Sequence, residues 1–165
     1  MSLLYAKYMD IEKFATGETH QQAANVLQYL TPVCKSFMTD MGLEVASNGV
    51  QIFGGHGYIR EWGMEQFVRD SRILPIYEGA NGVQALDLVG RKLLGDGGKA
   101  YNDYVELIEG FLAENKGDAG VAIMAPALQR GLDDLKTATQ WLFDNLAQNP
   151  ENAGGASASY LRIFG

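Results

Sequence analysis

The sequence predicts an all-α protein, an up-and-down helical bundle, and three observations support this. Apolar residues recur with a period near 3.6 over most of the chain, as Val26, Leu30, Val33 and Phe37 illustrate. Glycine and proline stand between the periodic segments, where they end helices. No stretch alternates apolar and polar residues as a half-buried strand would. With 165 residues, of which 47% are hydrophobic and 20% charged, the chain can bury one sizeable core.

The predicted helices follow one another along the chain with short connections. A first segment spans residues 3–16 and ends at Gly17, and a long helix runs over residues 23–53 and stops at Gly54. Thr31 and Pro32 predict a fresh start or a kink within it, because proline lacks a backbone donor and threonine caps helix N-termini. The remaining predicted helices cover residues 61–71, 82–94, 101–112, 121–146 and 158–164, and residues 152–155 are predicted to form a loop.

The composition argues against several classes of function. A net charge of -7 without a basic patch is unlike a nucleic-acid-binding protein. We expect no membrane span, since no apolar run reaches about 18 residues, and no secretory signal. The two histidines and the single cysteine, Cys34, lie far apart, so we expect neither a metal site nor a disulfide. A lone thiol in an apolar helical stripe fits a reducing compartment, and we expect a cytoplasmic protein.

The turn around Glu78 is the most informative segment of the chain. This carboxylate follows the apolar run over residues 73–76, lies between Tyr77 and Gly79, and precedes a helix predicted from Gly82. A carboxylate set against apolar neighbours loses hydration, which predicts a raised pKa and a group that accepts a proton near neutral pH. On spacing alone, the alternative is a glutamate that complements the dipole of the following helix.

A glycine-rich turn follows the long helix. It reads Gln51-Ile-Phe-Gly-Gly-His-Gly-Tyr58, with three glycines in four positions. Glycine permits positive φ and lets another surface approach the backbone closely. Because the turn follows a helix rather than a strand, it is not a dinucleotide-binding fingerprint. A charged helix, Val68-Arg-Asp-Ser-Arg72, lies between this turn and the Glu78 segment.

Residues 51–58, 68–72 and 76–80 together resemble the C-terminal helical domain of the acyl-CoA dehydrogenases. That family carries a glutamine- and glycine-rich turn, an Arg-Asp-Ala-Arg/Lys helix and an Ile-Tyr-Glu-Gly-Thr turn in this order at about this spacing. We expect residues 1–94 to form the family's C-terminal four-helix-bundle domain. Residues 95–165 resemble the helical extension of a longer subgroup, which includes bacterial enzymes acting on short or sulfur-bearing acyl-CoAs. We expect this extension to pack on the bundle and to be truncated.

The resemblance implies an FAD-dependent acyl-CoA dehydrogenase of fatty-acid metabolism, which desaturates the α,β bond of an acyl-CoA thioester. Glu78 matches the catalytic base that removes the α-proton while hydride leaves the β-carbon for FAD. Gly79 matches the position that lies against the thioester of the substrate. The positions implied in cofactor binding are Gln51, Ile52, Phe53, Gly54, Gly55, Ala80, Asn81 and Gly82.

The resemblance also implies partners. In the family, the residues that correspond to 51–55 contact the adenine half of an FAD that is held mainly by a neighbouring subunit. The longer protein to which this chain would belong is therefore expected to be a homo-oligomer, a dimer or tetramer. The implied electron acceptor is an electron-transfer flavoprotein. Because the family's other two domains are missing, we expect the isolated chain to be inactive.

The chain departs from the family pattern at three positions, and these departures keep two alternatives open. Ala80 stands where the family has threonine, Gly82 stands where common relatives have glutamine, and Arg91 lies one position later than an arginine that often follows the base. One alternative is a catalytically silent helical interaction module. The other is an acyl-CoA oxidase, which shares the fold and passes electrons to oxygen.

Four further positions receive structural interpretations. We interpret Arg91 as a solvated cation at a helix end. His56 is interpreted as a turn histidine near the edge of the cofactor, and Trp62 as a side chain that packs on the glycine turn. The Arg-Asp-Ser-Arg helix over residues 69–72 is expected to be ion-paired and to position the Glu78 turn.

Overall fold

The computed structural model describes residues 1–146 and 148–164, and within these ranges the chain is helical without a strand. Ala147 and Gly165, which belong to the predicted extension, lie outside the described residues. A 3-10 turn, Arg60–Trp62, precedes α4, and a π-helical turn, Leu88–Leu94, continues α5. The α-helices of the described ranges are α1 (Ser2–Phe14), α2 (Gly17–Phe53), α3 (Gly55–Tyr58), α4 (Met64–Arg72), α5 (Asn81–Asp87), α6 (Lys99–Glu114), α7 (Ala119–Leu146) and α8 (Glu151–Arg162). The all-α prediction is therefore confirmed.

The long helix α2 continues through Pro32, so of the two predicted alternatives the fresh start at Thr31 and Pro32 is wrong, and a kink there stays a prediction. Proline lacks the N–H of a regular helix bond. The Thr31 hydroxyl donates to the Leu27 carbonyl at 2.7 Å, and the Tyr5 hydroxyl of α1 lies 2.9 Å from it. Pro32 is buried, and α2 packs against α1, α4, α5 and α6. These tertiary contacts outweigh the local preference of proline for a helix start.

The start of α8 and the end of α5 also differ from the prediction. Helix α8 begins at Glu151, so the predicted loop over residues 152–155 is wrong. The Asn149 side chain accepts a hydrogen bond from the Glu151 N–H at 3.0 Å, and the helix begins there, ahead of the glycines. The predicted regular helix over residues 82–94 ends as a π-helical turn. The apolar spacing of this segment is compatible with an α-helix and with a π-helix, and in the observed π-helical turn Leu88, Val89 and Leu93 are buried.

The core joins residues from both sides of residue 94. Besides the main core cluster, a smaller cluster packs Val26, Leu30 and Cys34 against α1. Cys34 is a buried free thiol, and burial raises its pKa, as expected of an inert cysteine. The main cluster consists of Tyr29, Val33, Ala85, Leu88, Val89, Leu93, Ala100, Leu135, Leu142, Tyr160 and Leu161.

A chain of buried hydroxyl groups crosses this core from α2 to α7. The Tyr29 and Tyr160 hydroxyls lie 2.7 Å apart, and the Tyr160 hydroxyl lies 2.7 Å from the Thr139 Oγ1. Thr139 donates to the Leu135 carbonyl at 2.8 Å. The Thr139 proton is thus used, so Tyr160 donates to Thr139 and Tyr29 donates to Tyr160. Burial raises the pKa of Tyr160 to about 12 and raises that of Tyr29 well above its ordinary value.

Candidate functional site

The turn that carries Glu78 joins α4 to α5 and closes on itself. The Asn81 N–H donates to the Pro75 carbonyl at 3.0 Å, and the Gln84 side-chain amide donates to the Gly79 carbonyl at 3.2 Å. Gly79 has a φ of +87° and Glu78 has a φ of +51°, so both adopt the left-handed region. For a residue with a side chain this region costs about 1–2 kcal/mol. The surrounding contacts must therefore hold Glu78 in place.

Glu78 is exposed, and this contradicts the expectation that its apolar sequence neighbours bury it. Those neighbours are themselves open to solvent, since Ile76 is 51% exposed and Tyr77 is 45% exposed. Apolar residues beside a carboxylate desolvate it only when another surface covers them, and the described residues supply no such cover. Exposed apolar side chains of this kind mark an interaction surface. The large ones between α2 and α5 are Ile52, Phe53, Tyr58, Ile59, Trp62, Phe67, Ile73, Ile76, Tyr77, Val83 and Leu86.

One side chain of α2 holds both ends of the Glu78 turn, and the sequence analysis missed it. Lys35 is half-buried, and its Nζ donates to the Leu74 carbonyl at 2.9 Å and to the Asn81 Oδ1 at 3.0 Å. The Asn81 Nδ2 donates to the Asp40 Oδ1 at 2.9 Å. The side-chain amide and backbone N–H of Asn81, a predicted cofactor contact, are therefore engaged within the chain.

The glycine turn ends α2 and lies at the surface. Gly54 has a φ of +60° and residues 51–55 are all exposed, with Ile52 at 83%. A Cβ added at Gly54 or Gly55 would meet no atom within 4 Å, so open space lies beside this backbone. Gly57 is different, because an added Cβ would lie 2.4 Å from the Val50 carbonyl oxygen. The first two glycines thus leave room for a ligand, and the third allows the turn to pack on α2.

The remaining residues around the two turns are placed as follows. The rings of His56 and Trp62 meet edge-on with centroids 5.2 Å apart, which confirms that Trp62 packs on the glycine turn. Ala80 is half-buried, whereas Gly82 is exposed and a Cβ added there would meet no atom within 4 Å. The backbone at the start of α5 therefore also faces open space.

A cavity of about 710 Å³ lies between α2, α4 and the segment that leads to the Glu78 turn. Neither Glu78 nor any residue of 51–55 lines it, so this cavity does not enclose the predicted base. It is an open groove beside the segment that leads to the Glu78 turn, and the side of α4 that faces it is not covered by the other described residues of this chain. Its lining consists of Ser47, Val50, Tyr58, Glu65, Val68, Arg69, Arg72, Ile73 and Ile76.

The expected ion pairing within α4 is wrong. Asp70 accepts a hydrogen bond from the Gln66 side chain at 2.7 Å, and the ion pairs of residues 1–146 and 148–164 lie elsewhere. The reason is helix geometry, because Arg69 and Arg72 stand one and two positions from Asp70 and point to other faces. Arg91 pairs with Asp87 one turn earlier and its side chain is 80% exposed, which confirms the interpretation of a solvated helix-end cation.

No group of three or more histidine, cysteine, aspartate or glutamate side chains in residues 1–146 and 148–164 is arranged to hold a metal ion. None of the helices described has the length and apolar character that crossing a membrane requires.

The helical architecture has a solved counterpart. The structure described as "Bd2924 apo-form" superimposes with a TM-score of 0.68 at 21% sequence identity, over 98% of this chain and 27% of that chain. At this identity the likeness establishes the fold alone. The family model "Acyl-CoA dehydrogenase, C-terminal domain" matches residues 7–94, more than half of the chain. The chain therefore belongs to the acyl-CoA dehydrogenase family, and the resemblance drawn from its three motifs is confirmed.

Individual relatives agree with this assignment. The chain is 38% identical over 159 residues to 3-methylmercaptopropionyl-CoA dehydrogenase of Ruegeria pomeroyi, which covers 96% of this chain and 27% of that protein. It is 30% identical over 118 residues to a butyryl-CoA dehydrogenase of Syntrophomonas wolfei, covering 70% of this chain and 19% of that protein. The chain thus spans about a quarter or less of the length of these relatives. The first match includes the extension, in agreement with the expected longer subgroup.

Proposed function

We propose that this chain is the C-terminal part of a longer FAD-dependent acyl-CoA dehydrogenase that desaturates the α,β bond of an acyl-CoA thioester. The match of residues 7–94 to the family domain, with Glu78 at the family's base position in Ile76-Tyr-Glu-Gly79, carries this proposal. The matched segment makes up 27% and 19% of these relatives, which are therefore about four to five times as long as it. Further domains would then supply most of the binding surface for flavin and substrate.

In this proposal Glu78 removes the α-proton of the substrate, and the flavin supplies the acceptor for the hydride from the β-carbon. Proton abstraction from a weakly acidic carbon needs a site without water. Glu78 is exposed in this chain, so the water must be excluded by the acyl-CoA and by the domains that cover the apolar face around it. The exposed Ile76 and Tyr77 beside it are suited to being covered in this way.

The residues present fit a flavin at the two predicted contact points. The backbone at Gly54, Gly55 and Gly82 faces open space, so a cofactor can approach it without meeting a side chain of this chain. Residues 51–55 would contact an FAD held mainly by a second subunit, which requires at least a dimer. Ala80 would contribute less than the threonine of the family pattern, because it lacks a hydroxyl.

Substitution of Glu78 by glutamine in the full-length protein tests the proposal. We expect a loss of at least about a hundredfold in turnover, because the amide cannot accept the proton. Glu106→Gln, an exposed residue of α6, is the matched control and should leave turnover unchanged. FAD content, measured by absorbance, should be equal in both variants. Unchanged turnover in Glu78→Gln would instead support a silent helical interaction module.

The isolated chain provides a second test. Because its candidate site is an open surface, we expect the 165-residue chain to purify without stoichiometric FAD and to reduce no electron acceptor with acyl-CoA. A yellow preparation with bound flavin would contradict this.

The electron acceptor and the setting of the enzyme are part of the same proposal. We take the acceptor to be an electron-transfer flavoprotein in the cytoplasm, and the full-length protein to be a homo-oligomer. Oxygen consumption by the full-length protein with acyl-CoA would show an acyl-CoA oxidase in its place.

A further inference from the structure

The Glu78 turn is attached to α2 at both of its ends by a single cation. Leu74 lies four residues before Glu78 and Asn81 lies three residues after it. The Lys35 Nζ donates to the carbonyl of the first at 2.9 Å and to the side-chain oxygen of the second at 3.0 Å. Hydrogen bonds from a charged donor are about twice as strong as neutral ones. Lys35 therefore brackets the segment that carries the proposed base.

The partners of the Asn81 side chain fix which way its amide oxygen and amide nitrogen point. The oxygen faces the Lys35 ammonium, and the Nδ2 donates to the Asp40 Oδ1 at 2.9 Å. The reverse orientation would place the amide nitrogen against a cation and its oxygen against a carboxylate. Asn81 also contacts the Ser36 carbonyl and the Thr39 hydroxyl of α2 at 3.5 and 3.3 Å, so the first turn of α5 is fixed against this helix at several points, of which Lys35 is the charged donor.

The hydrogen bonds within the turn do not attach it to the bundle. Asn81 to Pro75 and Gln84 to Gly79 close the segment on itself, and both would survive the loss of Lys35. Without the cation the turn would keep its shape and lose part of its anchorage to α2. Glu78 would then be displaced while its carboxylate remained intact.

We infer that Lys35 is a positioning residue for the reaction, which sets the location of the Glu78 carboxylate by holding the turn through Leu74 and Asn81. This inference rests on the proposed function, since it requires Glu78 to be the base. A displacement of about 1 Å in a reacting group lowers the rate by up to about a hundredfold. The effect of removing Lys35 thus falls on the chemical step rather than on binding.

The test uses the full-length holoenzyme with three lysine variants. Lys35→Met preserves the side-chain length and removes the donors, Lys35→Arg retains a charged donor, and Lys136→Met removes an exposed cation of α7 as the control. The measurements are kcat, KM for acyl-CoA, the FAD to protein ratio, and the rate of flavin bleaching after anaerobic mixing with acyl-CoA. The bleaching rate isolates the chemical step from product release.

We expect Lys35→Met to lower kcat and the bleaching rate by about 10- to 100-fold, with KM and FAD content within about twofold of the parent. Lys35→Arg should recover the rate to within about threefold, because it keeps a charged donor. Lys136→Met should match the parent. An unchanged bleaching rate in Lys35→Met would overturn the inference. So would a parallel loss of FAD and rate, since Lys35 would then stabilise the fold as a whole.

Two further variants separate the possible failures. If Lys35→Met does not fold, Asn81→Ala removes the Lys35 contact at the second end of the turn, together with the other side-chain contacts of Asn81 to α2, and should lower the bleaching rate by about three- to tenfold. An Asn81→Ala variant with the parent's rate would then overturn the inference. Glu78→Gln distinguishes this result from failure of the proposed function. If Glu78→Gln abolishes turnover while Lys35→Met does not change it, the base remains and only the positioning role falls.

Discussion

The face around Glu78 and the contact between bundle and extension are built in opposite ways. Beside Glu78, Ile76 is 51% exposed and Tyr77 is 45% exposed, and the polar anchor of the turn is a half-buried cation, Lys35. At the second contact Leu88 is 0% exposed, Tyr160 is 2% exposed, and the polar groups form a neutral chain of hydroxyls. The contact across residue 94 is thus closed within the chain, whereas the candidate site is an open surface, which under the proposed function further domains would cover.

The largest effect on stability is expected from the closed region. Leu88→Ala should lower the free energy of unfolding by about 2–5 kcal/mol, because it removes buried apolar volume and leaves a cavity. Ile76→Ala, on the open face at 51% exposure, is the matched comparison and should change it by about 0.5 kcal/mol or less. Urea denaturation of the 165-residue chain measures both. Equal losses would mean that the open face is packed after all.

A smaller effect is expected when one hydroxyl of the buried chain is removed. Tyr160→Phe leaves the Tyr29 hydroxyl without its acceptor and Thr139 without its donor, which should cost about 1–3 kcal/mol. Tyr58→Phe removes a hydroxyl from an exposed tyrosine and should cost nothing measurable. If the two variants denature at the same urea concentration, the hydroxyl chain does not link the extension to the bundle.

The same hydroxyl chain predicts an alkaline limit. The folded state raises the pKa of Tyr160 to about 12, whereas an unfolded tyrosine loses its proton near pH 10. Between these values the folded chain holds more protons than the unfolded one, so stability is full below about pH 10 and falls as pH rises toward about 12. Thermal unfolding at pH 9, 10 and 11 measures the slope. Tyr160→Phe should reduce the loss of stability with rising pH. If the variant loses stability as steeply as the parent, other titrating groups cause the loss.

The smallest effect is expected at the exposed ion pair between α6 and α7. Lys136 and Glu109 have side chains that are 37% and 50% exposed, so water screens their attraction. Lys136→Met should change the free energy of unfolding by less than about 1 kcal/mol. A larger loss in urea denaturation would show that the extension depends on charge as well as on its apolar core.

The sequence predicted most of the helices because their apolar spacing and their glycine stops agree. The end of α2 at Gly54 is an example, since both signals point to the same residue. The errors arose where local signals conflict with packing. Pro32 lies within a helix that tertiary contacts hold, and α8 begins at Glu151, ahead of two glycines.

The candidate site was named from a sequence motif, and the role of Glu78 in it stays a prediction. The expectation that its sequence neighbours bury Glu78 was wrong, because Ile76 and Tyr77 are themselves open to solvent. Lys35 was missed because its partners lie about forty residues away. One signal was available, since Lys35 stands between Cys34 and Ser36, both buried, in the apolar stripe of α2.

At Glu78 the left-handed backbone favours glycine for stability, whereas the proposed reaction requires a carboxylate. Glycine adopts a φ of +51° without a steric penalty, so Glu78→Gly would relax the turn by about 1 kcal/mol while it removes the carboxylate of the proposed base. A laboratory selection for heat resistance, blind to turnover, should therefore enrich glycine or asparagine at position 78. Selection for growth on the substrate should restore glutamate, and the two populations would diverge at this one codon.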